Sequence, residues 1–144
     1  DLTPAIREST ANRFAGRFLL PGRWFIPWGQ ACDWDLFELK QAFATASHEL
    51  IVRRMLEGPR PLVVTLFDGQ RRTWRASNVG CRTPPVTACE ADVRRALARR
   101  RQPVQADPQA LPQEFVDVRG WPVDEPSWRR DILCTELAEL GWWG

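Results

Sequence analysis

The chain of 144 residues is poor in the residue types on which many catalytic and metal sites depend. His48 is the only histidine, Lys40 is the only lysine, and tyrosine is absent. A single histidine cannot complete a Cys/His zinc set, and the four cysteines contain no C-x-x-C spacing. The sequence therefore predicts neither a metal centre nor a bound cofactor.

Short catalytic motifs are also missing. There is no G-x-S-x-G, no phosphate-binding glycine loop and no dinucleotide fingerprint. His48-Glu49 does not open a zincin motif, because Val52 stands where the second histidine is needed. The E-x-K spacing of Glu38 and Lys40 falls in a helical pattern and is assigned to capping and solvation. No catalytic residue is predicted, and His48 is the residue to test if the protein is an enzyme.

Long apolar runs are absent too. No stretch approaches the ~20 apolar residues of a membrane-spanning helix, so we expect no membrane partner. The scattered cysteines favour free thiols in a reducing compartment, which predicts a cytoplasmic location. Cys81 and Cys89 flank a proline-containing loop and are the pair to examine for a disulfide.

The clearest structural signal is a β-hairpin. Leu62–Phe67 is a run of apolar and β-branched residues, and Asp68-Gly69 follows as a tight-turn pair. The next strand alternates, so Trp74 and Ala76 are expected to face the core. Its other face is polar and basic, and we expect this face to meet water or a partner.

Helices and further strands are predicted on both sides of this hairpin. Thr3-Pro4 starts a short helix, and Ile6, Phe14, Phe18, Leu19 and Leu20 supply apolar contacts. The next elements are a strand at Arg23–Trp28 and one long helix that is capped by Asp33 or Asp35 and includes Met55. The later elements are a helix capped by Thr87 and Glu90, an exposed loop over 102–113, a strand at Phe115–Val118, and a helix from Pro126 that uses Trp128, Ile132, Leu133, Leu137 and Leu140.

This order predicts an α+β fold as a single globular domain over residues 1–144. From Arg23 onward it matches the βαββαβ order of ferredoxin-like folds, with an additional C-terminal helix. That fold hosts many unrelated activities, so it cannot decide the function.

Two functional hypotheses follow from the tryptophans and arginines. The first is a protein-interaction or accessory module, for a protein partner or self-association, because tryptophan is enriched at interfaces. Its predicted interface residues are Trp24, Trp28, Trp142 and Trp143. The alternative is a single-stranded nucleic-acid binder in which sheet-face aromatics stack on bases and arginines hold phosphates. Its predicted binding residues are Arg71, Arg75, Arg94, Arg95, Arg99, Arg100 and Arg101.

Overall fold

The structure is a computed structural model that describes residues 3–80 and 82–139. It confirms the α+β class: the described residues form five α-helices and a five-stranded antiparallel sheet. The chain divides into two compact units, Asp1–Gly58 and Pro59–Gly144, which are described separately below. The expectation of one domain over the whole chain stays a prediction.

The first unit is helical. Its elements are α1 Pro4–Leu19, α2 Gly22–Ala31, α3 Leu36–Ala42 and α4 His48–Met55. Thr3 caps α1 and Asp35 caps α3, because each side chain accepts backbone N–H groups at the start of its helix. Thr3 was predicted to start a helix, and Asp35 was one of the two predicted caps, with Asp33 as the alternative. The single helix expected from Asp35 to Met55 is wrong, because α3 ends after Ala42 and Ser47 caps a new helix.

The second unit is a sheet with one helix packed on it. The elements are β1 Leu62–Asp68, β2 Arg71–Ser77, α5 Ala88–Arg100, β3 Val104–Gln105, β4 Phe115–Pro122 and β5 Arg130–Leu137. The strand order is β2-β1-β5-β4-β3. A buried cluster joins α5 to the sheet through Phe67, Val93, Leu97, Val118 and Leu133. Gly120 on β4 lets α5 approach closely, since a Cβ there would lie 2.5 Å from Leu97 Cδ1.

The predicted hairpin is confirmed, with its turn shifted by one residue. Asp68 pairs with Arg71, so Gly69 and Gln70 form the two-residue loop. Gly69 has a φ of 59°, as the first central residue of a type II′ turn requires. Thr87 caps α5 in a capping box with Glu90, as the sequence also predicted.

Two predicted elements are wrong, and with them the ferredoxin-like order. The expected strand at Arg23–Trp28 lies in α2, where Phe25 and Gly29 are buried at helical spacing. The helix expected after Pro126 is instead β5, which lies between β1 and β4. Because a central strand can be buried on both faces, its apolar residues run consecutively and do not alternate.

Candidate interaction surface

The first unit exposes two pairs of aromatic side chains on consecutive helices. Phe14 and Phe18 on α1 are each 73% exposed, and Trp24 and Trp28 on α2 are each 54% exposed. Each pair has i, i+4 spacing, which places its two members on one side of their helix. The Phe14 and Phe18 rings stack with centroids 6.5 Å apart. We call these four residues the α1–α2 aromatics.

Buried glycines on the other sides of α1 and α2 let these helices pack closely against the rest of the first unit. Gly16 of α1 is buried next to the side chains of Arg54 and Leu50 on α4. Gly29 of α2 is buried against the Trp34 ring, where a Cβ would lie 2.2 Å from a ring carbon. Burial of these faces leaves the α1–α2 aromatics outside. The expected apolar contacts are therefore wrong for Ile6, Phe14 and Phe18, whereas Leu20 is buried and Leu19 is half-buried.

The first half of α1 has little packing of its own. Every residue from 3 to 11 is exposed, including Ile6 at 49%. Most helical stability in proteins comes from tertiary packing of an apolar face, and short isolated helices are marginal in water. The first half of α1 is therefore a helical surface that a partner protein could cover and stabilise.

Arginines give this region a positive charge. Glu57 is the shared partner of Arg13, Arg17 and Arg54, at N–O distances of 3.7, 3.6 and 2.8 Å. One carboxylate cannot neutralise three guanidinium groups. On α2 the Arg23 guanidinium lies 4.3 Å from the centroid of the Trp24 ring. The aromatic rings of both helices thus have cationic neighbours.

An open groove of about 420 Å³ begins at Trp28. Its lining residues come from α2, α3 and the chain just after α2: Trp28, Ala31, Cys32, Glu38, Gln41 and Ala42. Cys32 is a half-buried free thiol whose Sγ donates to the Gly29 carbonyl at 3.7 Å. The groove is large enough to receive one or two apolar side chains of a partner.

The second unit contains a buried ion pair between Arg75 on β2 and Glu90 on α5. Arg75 Nη1 and Nη2 donate to Glu90 Oε1 and Oε2 at 3.0 and 3.2 Å, and the two side chains are 5% and 0% exposed. Arg75 also donates to Thr65 and to the Pro84 and Pro85 carbonyls, so its five N–H groups are used. The expectation that this strand face meets water is wrong at Arg75.

Hydrogen bonds keep Glu90 ionised. Burial alone would raise the pKa of Glu90, but hydrogen bonds from Arg75 and Thr135 and from the Thr87 backbone outweigh it and hold the pKa below its usual value. Thr135 Oγ1 donates to Glu90 Oε1 at 2.6 Å and the Thr87 N–H donates to Oε2 at 2.8 Å. A pocket of about 380 Å³ adjoins this pair, with Pro84, Pro85, Pro112 and Phe115 among its lining residues.

The other arginines predicted to bind phosphates differ in their exposure and in their partners. Arg71, Arg95, Arg99 and Arg100 are exposed, and Arg95 pairs with Asp92. Arg94 lies 3.8 Å above the Phe67 ring. Arg101 binds Asp124 and also the buried Asp131, at 2.8 Å from the latter. The structure therefore does not bring these seven arginines together on one open face.

Several other predicted residues are also located. His48 is half-buried at the start of α4, with its ring 6.0 Å from that of Phe37. No group of His, Cys, Asp or Glu suited to a metal ion occurs within residues 3–80 and 82–139. Trp142, Trp143 and Cys81 lie outside the described residues, so the predicted tail interface stays a prediction. Cys89, the described member of the Cys81–Cys89 pair, is a free thiol.

Comparison with protein-family models, curated proteins and solved structures gave no match for this chain. None of the helices in the described part of the chain has the length and apolarity that crossing a bilayer requires.

Proposed function

We propose that this chain is a protein-interaction module that binds an acidic, amphipathic protein segment through the α1–α2 aromatics. The observation that carries the proposal is the exposure of these four rings, between 54% and 73%, on two consecutive helices. Exposed aromatic clusters mark interaction sites, because a rigid ring offers a large contact area at low entropic cost.

The exposed first half of α1 supports the same proposal. Residues 3 to 11 lack tertiary packing in the described chain, and Ile6 adds a further apolar side chain to the ring pair of Phe14 and Phe18. A partner helix that lies along α1 would supply the missing apolar contacts and stabilise this half of the helix.

The charge of α1 and α2 favours an acidic partner over a second copy of the chain. These helices carry Arg7, Arg13, Arg17 and Arg23, against Glu8 as their only acidic residue. A symmetric contact between two such surfaces would place arginines opposite arginines, which is unfavourable. Carboxylates of a different protein would complement the arginines and increase the association rate.

Two model peptides test this proposal in the full chain. Both are fluorescein-labelled amphipathic helices of about 18 residues with the same leucine face, and the polar face is glutamate in one and lysine in the other. Fluorescence anisotropy should show binding of the glutamate peptide at least about tenfold tighter than that of the lysine peptide, with an affinity that falls as salt is added. Equal binding, or no binding of either peptide at about 1 mM, would overturn the proposal.

Sedimentation velocity separates self-association from a different partner. We expect the chain to be a monomer at micromolar concentrations. A dimer that dissociates in the Phe14→Ala/Phe18→Ala variant would replace the acidic partner with a second copy of the chain.

Single-stranded nucleic acid remains the second candidate, and exposed Arg95, Arg99 and Arg100 on α5 support it. It ranks lower because Arg75 and Arg101 are engaged with buried carboxylates. Salt-sensitive binding of a mixed single-stranded oligonucleotide, weakened by Arg99→Gln/Arg100→Gln, would favour it.

The free thiols of Cys32, Cys89 and Cys134 fit a reducing compartment, and we propose the cytoplasm as the location.

A further inference from the structure

A small cavity in the second unit has the charge and the donors of an oxyanion site. Its volume is about 170 Å³, and it lies between the β1–β2 turn, α5 and the start of β5. The lining residues are Gly69, Gln70, Ala91, Arg94, Arg95, Ala98, Arg129 and Asp131. Three arginines and one aspartate therefore surround a space large enough for a single phosphate-sized group and a few waters.

The aspartate in this lining is already neutralised. Asp131 is only 2% exposed, and its Oδ1 accepts a hydrogen bond from Arg101 Nη1 at 2.8 Å. Its Oδ2 accepts one from Arg129 Nη2 at 3.4 Å. With this carboxylate engaged by two guanidinium groups, the remaining charge around the cavity is positive.

The guanidinium of Arg129 is only partly satisfied by the protein. Its Nη2 donates to Asp131 Oδ2 at 3.4 Å, and its Nε is buried and makes no hydrogen bond within residues 3–80 and 82–139, while the side chain as a whole is 36% exposed. A charged group with a buried N–H that lacks an acceptor gains from a further counter-charge nearby. This under-used guanidinium distinguishes the cavity from an ordinary surface cluster of arginines.

A second guanidinium is held in place beside it. Arg94 lies 3.8 Å above the Phe67 ring, and its Nη2 donates to the Gly69 carbonyl at 3.0 Å. Arg94 makes no ion pair with a described carboxylate, in contrast to Arg95, which pairs with Asp92. Ala91 and Ala98 flank these arginines on α5 and leave the space open, because neither side chain extends beyond Cβ.

From these contacts we infer that the cavity binds a small oxyanion, a phosphate group, held by Arg94 and Arg129. Guanidinium groups suit this role because their planar N–H pairs match the oxygens of a phosphate. The site is independent of the α1–α2 aromatics, so its test does not depend on the proposed function. The phosphate could belong to a free ion or to a nucleic-acid backbone, and both sources supply the same oxygens.

Titration calorimetry of the full chain with inorganic phosphate, at constant ionic strength, tests the site. The wild-type chain should bind about one phosphate, and Arg94→Gln should weaken binding about tenfold or more. Arg129→Lys keeps the charge but removes the planar guanidinium N–H groups, and it should weaken binding to a similar extent. Arg99→Gln is the matched control, since it removes the same charge from an exposed position on the same helix and should change binding less than about twofold.

The thermal midpoint of each variant is measured in parallel, so that a fold defect is not mistaken for a binding defect. If Arg129→Lys does not fold, the comparison of Arg94→Gln with Arg99→Gln decides the outcome. Failure of the wild-type chain to bind either inorganic phosphate or a single-stranded oligonucleotide, or equal losses in Arg94→Gln and Arg99→Gln, would overturn the inference. Binding of the oligonucleotide that depends on Arg94 and Arg129, without binding of inorganic phosphate, would support the site and identify its phosphate as that of a nucleic-acid backbone.

Discussion

The guanidinium of Arg75 and the carboxylate of Glu90 form two hydrogen bonds, of 3.0 and 3.2 Å, in the interior of the second unit. The pair links an edge strand of the sheet to the first turn of α5. Both groups have further protein partners, so neither charge is left uncompensated. We attribute a structural role to this pair, since no donor of Arg75 remains for a ligand.

Removing one charge of this pair should strongly destabilise the protein. We expect Glu90→Gln to lower the free energy of unfolding by about 3–5 kcal/mol, because Arg75 would stay buried without a counter-ion. Urea denaturation measures this loss. Asp92→Asn on the same helix is the control, since its side chain is 67% exposed and the change should stay within about 0.5 kcal/mol. A loss below about 1 kcal/mol for Glu90→Gln would contradict the buried pair.

The same carboxylate makes stability depend on pH. Because the pKa of Glu90 is lower in the folded than in the unfolded chain, the unfolded chain binds more protons in the acidic range. The stabilisation is complete above the unfolded pKa of about 4.3 and is lost as the pH falls through the folded value. Unfolding free energies measured from pH 7 to pH 3 should fall less steeply in Glu90→Gln than in the wild type. Parallel curves would refute this assignment.

Asp68 contributes in the same direction. A hydrogen bond from Arg130 lowers the pKa of Asp68, so its stabilisation is also lost in acid. The acid sensitivity of Glu90→Gln should therefore be reduced without disappearing.

Two buried helical glycines of the first unit should respond differently to alanine. A Cβ at Gly29 would lie 2.2 Å from the rigid Trp34 ring, so Gly29→Ala should cost about 1–3 kcal/mol of unfolding free energy. At Gly16 the nearest side-chain atom would be 3.6 Å away, which is an ordinary contact. Gly16→Ala should therefore be neutral or stabilising by up to about 1 kcal/mol. Chemical denaturation followed by circular dichroism measures the unfolding free energies of the two variants. Equal changes in Gly29→Ala and Gly16→Ala would show that Gly29 of α2 does not pack against the Trp34 ring.

Thiol reactivity tests the packing of β5. Burial raises the pKa of Cys134 to about 11, so only roughly one thiol in a thousand would be ionised at pH 8. Alkylation of the native chain by iodoacetamide, with the peptides resolved by mass spectrometry, should modify half-buried Cys32 much faster than Cys134. In denaturant the two rates should converge. Comparable rates in the native chain would mean that β5 is not a buried central strand.

The sequence predicted those parts of the fold whose signals are local. The side chains of Thr3, Asp35 and Thr87 mark helix starts because each accepts a backbone N–H within three residues of itself. The β1–β2 hairpin was predictable for a similar reason, since a turn pair directly follows an apolar run. The strand β5 was missed because burial on both of its faces removes the alternation that identifies a strand.

The interaction surface was only partly predictable. Trp24 and Trp28 were singled out as interface residues, and both are largely exposed, although on a helix and not on a strand. Phe14 and Phe18 were missed because their helical spacing resembles that of core residues. The partners of Arg75 and of Arg129 depend on how α5 and β5 come together with the rest of the sheet, which no local pattern encodes.

The rings of Phe14 and Phe18 on α1 are central to the proposed interaction, and one measurement tests their role directly. Anisotropy titration of the glutamate-faced peptide should show binding at least about tenfold weaker for Phe14→Ala/Phe18→Ala than for the wild-type chain, because interface aromatics dominate binding energy. Trp128→Ala is the matched control: this tryptophan is 49% exposed but lies in the second unit, so its loss should leave affinity within about twofold. Unchanged binding of the double variant, or an equal loss in Trp128→Ala, would contradict the central claim.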